Sequence, residues 1–208
     1  MLIEPAVLAI FLAASLTLNL TPGNDMMFVL GQSLRGGPPR GIAASLGIAT
    51  GSLVHLGLVA LGVAAVLARH PTLFDAIRYA CAAYLLWMAW QNLRKAPLAP
   101  AQAVESGSAA EAWRQGVFVN LLNPKIIVFM FAFLPPFVHP ENGSPLLQLL
   151  LLGMTFNIGG TLINIGVALL SGRILRTALN DVRGRKWLAA IVSSLYVFIA
   201  ARIALARP

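Results

Sequence analysis

Two short stretches place polar chemistry in otherwise apolar surroundings: "LTPGND" at 20–25 and "LLNPK" at 121–125. Between Pro5 and Leu34 the one charged side chain is Asp25, and between Gln115 and Val138 it is Lys125. Each charge closely follows a proline. Pro22 has no N–H for the Leu18 carbonyl and Pro124 none for the Asn120 carbonyl, so a helix breaks at both points. Thr21 and Asn123, each preceding a proline, are biased away from helical torsions. Gly23 adds backbone freedom at the first break. Downstream of a break a helix N-terminus presents unpaired N–H groups and partial positive charge, and upstream lie free carbonyls. Asn19, Asn24, Asn120 and Asn123 add side-chain donors and acceptors. Asn19, Thr21, Pro22, Gly23, Asn24, Asp25, Asn120, Asn123, Pro124 and Lys125 are therefore the candidate binding residues. A zwitterion suits them, with its carboxylate at a helix N-terminus or Lys125 and its ammonium at Asp25 or free carbonyls. Asp25 is also the candidate for taking up a proton when the site is empty. The alternative role for the two charges is a structural ion pair.

The elements that position these groups follow from composition. The chain is 58% hydrophobic and 11% charged, far from the balance of a soluble domain. Residues 41–68 and 142–172 carry no charge if His55 is neutral, and a bilayer-crossing helix needs about 20 apolar residues. Six spans are expected, at roughly 5–34, 41–69, 72–93, 114–138, 145–172 and 186–206. The first lacks a basic leading region, having Glu4 there instead, and its apolar stretch is too long for a signal peptide; it reads as a retained helix. Lys125 then falls about eleven residues into its span, near mid-bilayer at ~1.5 Å per residue. An ionisable group at that depth is a functional candidate.

The net charge of +8 does not point to nucleic acid, because its distribution follows the positive-inside rule. Ten of the 15 Lys and Arg residues fall in loops after spans one, three and five, and four on the opposite side. Those loops are expected in the cytoplasm and both termini in the periplasm. The single cysteine, Cys81, cannot form an internal disulfide and reads as a small core residue. His, Cys, Asp and Glu show no metal-site spacing, so no metal or cofactor is expected.

The halves resemble each other. "LTPG" at 20–23 matches "LNPK" at 122–125, and "GSLVHLGLVAL" at 51–61 matches "GTLINIGVALL" at 160–170. A segment rich in Ala, Pro and Ser, "APLAPAQAVESGSAAEA" at 96–112, separates them and reads as a linker. The expected organisation is residues 1–95 as one three-helix repeat, 96–113 as a cytoplasmic linker and 114–208 as a second repeat. Three spans per repeat force the halves into opposite orientations, an architecture of secondary transporters with midplane sites. The fold class expected is thus an all-α polytopic membrane protein of two inverted repeats, each with a broken first helix. His55 and Asn164 occupy matching positions in spans two and five, and either lines the pathway or packs through a hydrogen bond. Gly47, Gly51, Gly153, Gly159, Gly160 and Gly166 allow close helix approach within or between subunits, which leaves a homo-oligomer open.

At these residues the sequence resembles a known family. "LTPGND…VLGQSLRGGPPRGIAASLGIATGSLVH", "AAYLLWMAWQNLR" and "FVNLLNPKIIVFMFAFLPPFV" look like the LysE/RhtB family of bacterial amino-acid exporters, over about residues 10–200. The resemblance implies an inner-membrane exporter of amino acids or close derivatives, driven by the proton-motive force. It places Pro22, Gly23, Asp25, Asn123, Pro124 and Lys125 on the family's characteristic positions. Two departures stand out: Asn24 where the family usually has Pro, and Pro136 where it commonly has Gln. Asn24 is one break residue fewer and a candidate extra ligand. The rival readings are a transporter of another solute or cation, a membrane enzyme, and a non-transporting assembly protein. Hard cations want several carboxylate or carbonyl oxygens, and Asp25 is the one acid deep in a span. An enzyme needs a nucleophile, base or metal constellation that the spans do not supply. The partners expected are an amino acid, the lipid bilayer and protons.

Overall fold

The computed structural model describes residues 2–69 and 107–171, with single helical positions at 79, 83, 86, 87, 89, 90, 190, 193, 194, 197, 200 and 201. Most of the third and sixth spans, Cys81 and most of the linker lie outside the described residues. Within them the regular structure is entirely helical. Helix α1 spans Pro5–Leu20 and α2 Asn24–Arg69. Helix α3 spans Ala109–Leu121 and α4 Pro124–Val128. A π-helical turn follows at Phe129–Phe133, then 3-10 turns at Pro135–Phe137 and Pro140–Asn142, and finally α5 at Pro145–Leu169.

Both proline breaks are present. Helix α1 stops at Leu20 and α2 starts at Asn24; α3 stops at Leu121 and α4 starts at Pro124. Helix α2 is two limbs joined at Gly36 and Gly37, whose torsions leave the helical region. Gly37 has φ +74°, which favours glycine over any residue with a Cβ. Pro38 and Pro39 then open the second limb, where a missing N–H costs little.

Helix α3 starts five residues earlier than position 114, inside the stretch that reads as linker. Ser108 caps it, its hydroxyl accepting from the Glu111 N–H at 3.2 Å, and such a cap contributes about 1 kcal/mol. Past Val128 the span expected to reach about residue 138 does not continue as regular α-helix. Pro135 and Pro136 remove two consecutive donors, and the chain widens into the π turn, with Leu134 N–H donating to the Phe129 carbonyl at 3.1 Å. That turn brings Phe129 and Phe133 together, with ring centroids 4.8 Å apart. Phe129 stacks on Phe156 of α5 at 3.9 Å, and Phe11 of α1 meets the edge of Phe137 at 5.3 Å.

Among the described residues, two helices are long and apolar enough to cross a membrane, Asn24–Gly62 and Pro145–Leu169; the pair Ala109–Leu121 and Pro124–Phe137, bent by 54°, makes a third if counted as one span. Burial supports a lipid environment. On α5, Gln148, Asn157 and Asn164 are buried while Leu147, Leu151, Ile158 and Leu162 are exposed. That is the reverse of a water-soluble helix.

Among the described residues the core falls into two apolar clusters. Phe11, Leu56, Met130, Leu152 and Phe156 belong to one; Val29, Leu30, Ala44, Ile48 and Val167 belong to the other. Along α2, Ser52 lies between Ile48 and Leu56. Along α5, Asn157, Thr161 and Asn164 lie between Phe156 and Val167. A polar layer thus separates the clusters, at the level of both helix breaks. The α2–α3 crossing is close because it runs over glycine. A Cβ on Gly47 would collide with the Trp113 carbonyl, and one on Gly116 with the Ala44 carbonyl. Gly153 and Gly160 are similarly tight, against Leu56 and Asn19, whereas no described atom lies within 4 Å of a Cβ on Gly166.

Candidate functional site

Each proline removes the usual i+4 donor of a carbonyl. An i+3 N–H closes on it instead, Thr21 onto Leu18 at 3.2 Å and Asn123 onto Asn120 at 2.9 Å, and in each case a side chain from the other half of the chain adds a second bond. The Leu18 carbonyl, which Pro22 cannot serve, accepts from Lys125 Nζ at 2.7 Å, and the Thr21 carbonyl accepts from the same ammonium at 3.1 Å. Lys125 therefore sits at the negative pole of α1, where a cation is stabilised. The Asn120 carbonyl, which Pro124 cannot serve, is met by His55 Nε2 at 3.3 Å. A carbonyl only accepts, so Nε2 carries the proton of that bond.

Asp25 lies in the first turn of α2, at the positive pole, where a carboxylate is favoured. Its Oδ2 accepts from Asn120 Nδ2 at 2.9 Å. Asn123 caps α4 by accepting from the Lys125 N–H at 3.1 Å. No direct ion pair joins Asp25 to Lys125. Each charge answers to backbone or amide groups, and the structural ion pair weighed from the sequence is not formed.

Two adjoining cavities, of about 300 and 260 Å3 counting their open mouths, occupy the polar layer. The first is lined by Asn19, Thr21, Gly23, Asp25, Asn123, Lys125 and Asn164, with Met26 and Ile126. The second is lined by Asn19, Asp25, Ser52, Asn120, Asn157, Thr161 and Asn164, with Ile48, Ile126, Phe156 and Gly160. The two share Asn19, Asp25, Ile126 and Asn164. Opposite charges therefore face one cavity without pairing, a geometry that accepts a ligand carrying both signs.

Eight of the residues singled out in the breaks and matching spans come together here: Asn19, Thr21, Gly23, Asp25, Asn120, Asn123, Lys125 and Asn164. Four do not line either cavity. Pro22 and Pro124 act by breaking the helices. Asn24 is exposed; consecutive helical residues point about 100° apart, so it turns away where Asp25 turns in. His55 is buried and occupied with the Asn120 carbonyl. Ser52, Asn157 and Thr161 are not among the candidate site residues read from the sequence, although Ser52 and Thr161 occupy matching positions in the internal repeat. Their signal is periodicity: 157, 161 and 164 follow the i, i+4, i+7 spacing of one helix face within a run that has no charge.

The profile of the family described as LysE type translocator matches residues 16–207 of this chain. The chain belongs to the LysE family. A homoserine/homoserine lactone efflux protein of Salmonella typhi is 33% identical to this LysE-family protein over 202 residues, 95% of each chain. Its namesake in Salmonella typhimurium is 31% identical over 95% of each. A leucine efflux protein of Klebsiella pneumoniae is 29% identical over 93% of this chain and 92% of its own. No solved structure matches the LysE-family chain significantly.

Proposed function

We propose that this LysE-family protein exports amino acids or close derivatives across the bacterial inner membrane. The observation that carries the reading is the first cavity, where Asp25 and Lys125 face the same space unpaired at the junction of two broken helices. A zwitterion inserted there supplies each charge with the partner it lacks. The efflux proteins matched along almost the whole chain support the direction of transport.

The transporter is read as six spans in two inverted repeats, residues 1–95 and 114–208, joined by the cytoplasmic linker, with both termini periplasmic. Support comes from the paired breaks at 21–23 and 122–123 and from the reciprocal bonds of Lys125 and His55 to the carbonyls four residues before each proline. The polar layer between the apolar clusters is read as the midplane. Asp25 is assigned the coupling proton, because it is the one carboxylate among the described residues of the cavity wall.

The test is counterflow of labelled neutral, basic and acidic amino acids into liposomes holding the purified protein. One class should accumulate. Asp25→Asn should lose the acceleration that an imposed proton gradient brings, while melting at a temperature close to that of the unmodified protein in detergent. An Asn variant that still responds fully to the gradient removes Asp25 from coupling. A folded protein that moves no amino acid ends the exporter reading.

A further inference from the structure

The donor and acceptor accounting of the second cavity is lopsided. Asn120 Nδ2 is committed to Asp25, Asn19 Nδ2 donates to the Phe156 carbonyl at 3.2 Å, and Asn157 Nδ2 to the Ala49 carbonyl at 3.3 Å. Thr161 Oγ1 donates to the Asn157 carbonyl at 2.7 Å. Among the amides lining this cavity, Asn164 alone has no such commitment to a described residue. The oxygens are in the opposite condition. Asp25 Oδ1, Asn120 Oδ1 and Ser52 Oγ are buried and have no hydrogen-bond partner among the described residues. Asn120 is 1% exposed and Ser52 4%.

Such groups are expensive to leave unmade, at roughly 1–3 kcal/mol each. Ser52 has a cheaper arrangement within reach. Thr50, on the same helix, bonds back to the Leu46 carbonyl at 2.9 Å, the usual resort of a helical hydroxyl. Ser52 makes no such bond. Asn120 is also held deliberately: its carbonyl is engaged by His55, its amide N–H by Asp25, and its side chain lies over Gly51. A Cβ on Gly51 would come within 2.9 Å of Asn120 Cβ.

We infer that the second cavity is a subsite for a protonated amine, received by Asp25 Oδ1, Asn120 Oδ1 and Ser52 Oγ. An ammonium offers three donors and no acceptor, the complement of three oxygens without donors. The substrate is then read through its amine, and a free carboxylate is not required for binding. This builds on the exporter reading only in calling the amine a substrate. Ser52 and Asn120 are specificity-determining residues on this view, and His55 is a positioning residue acting through Asn120.

The test measures ligand-induced thermal stabilisation of the purified full-length protein in detergent. The probes are serine, serinamide and glycerate, and leucine, leucinamide and 2-hydroxy-4-methylpentanoate. The amine should decide: at least one amino acid and its amide raise the melting temperature, and the matching hydroxy acid does not. Ser52→Ala should weaken the amino acid and the amide alike, by roughly tenfold in Kd, the worth of one hydrogen bond to a charged group. Ser52→Thr keeps the hydroxyl and should keep binding, which separates loss of the oxygen from misfolding.

Equal stabilisation by the hydroxy acid overturns the proposal, as does a Ser52→Ala protein that binds amines at wild-type affinity. So does stabilisation by sodium chloride but not by choline chloride or any amine, which would make the oxygens a cation site. Failure of every probe to stabilise the wild-type protein also overturns it. Stabilisation by amines without any counterflow would keep the subsite and remove the exporter reading, so the two fail separately.

Discussion

Lys125→Ala should abolish counterflow and destabilise the protein at once. The ammonium donates to the Leu18 and Thr21 carbonyls, and hydrogen bonds to a charged group are worth about 1.5–3 kcal/mol each. Losing both costs about 3 kcal/mol: the Leu18 carbonyl keeps the Thr21 N–H at 3.2 Å, whereas the Thr21 carbonyl loses its side-chain donor in a membrane interior that offers no replacement. Transport should fall by more than about a hundredfold, since the same group faces the first cavity. Lys125→Arg retains charge and donors and should recover much of the melting temperature. Its planar fork differs in shape from an ammonium, so transport should recover less. Counterflow and thermal unfolding on the same preparations check both effects. An alanine variant that melts like the wild-type protein would show that α1 does not depend on this cap.

Gly116→Val should produce a large and purely structural loss. A Cβ there collides with the Ala44 carbonyl, and backbone on the opposite helix has no rotamer with which to yield. Overpacking costs about 1–3 kcal/mol when side chains can adjust; here the upper end or beyond is expected. The crossing also carries Gly47 and Gly51, so a shift of α3 moves Asn120 and should impair transport as well. Gly57→Ala is the control, with no described atom within 4 Å of its new methyl group. Replacing a helical Gly by Ala at an open position is worth up to about 1 kcal/mol in its favour. Thermal unfolding of the two variants should therefore diverge in opposite directions from the wild-type protein. Similar melting of Gly116→Val and wild type would mean that the crossing is looser than its glycines indicate.

The chemistry of individual residues made part of this protein legible without coordinates. Proline cannot donate wherever it sits, so Pro22 and Pro124 announced both breaks. A charge amid apolar residues is costly in any fold, so Asp25 and Lys125 stood out as site residues, and long uncharged runs announced membrane-spanning helices. The boundary at Ala109 was less visible, because the Ser108 cap lies in a stretch dominated by Ala and Ser. The π turn after Val128 was not visible either, since it depends on where Phe129 and Phe133 find room against Phe11 and Phe156.

Partnership was the property that only the tertiary structure decided. Opposite charges in one oily sequence suggest a pair, yet the tertiary arrangement gives Lys125 to the α1 carbonyls and Asp25 to Asn120. His55 carried no local sign that it would bond to the Asn120 carbonyl, four residues before Pro124. Ser52 looked like any small residue among glycines until its hydroxyl was found, beside Asp25, without a partner among the described residues. Helix breaks and membrane class follow from covalent limits and transfer costs that act at each position separately. A hydrogen bond between groups 65, 95 or 107 residues apart depends on how the helices cross, and no single stretch of sequence holds that information.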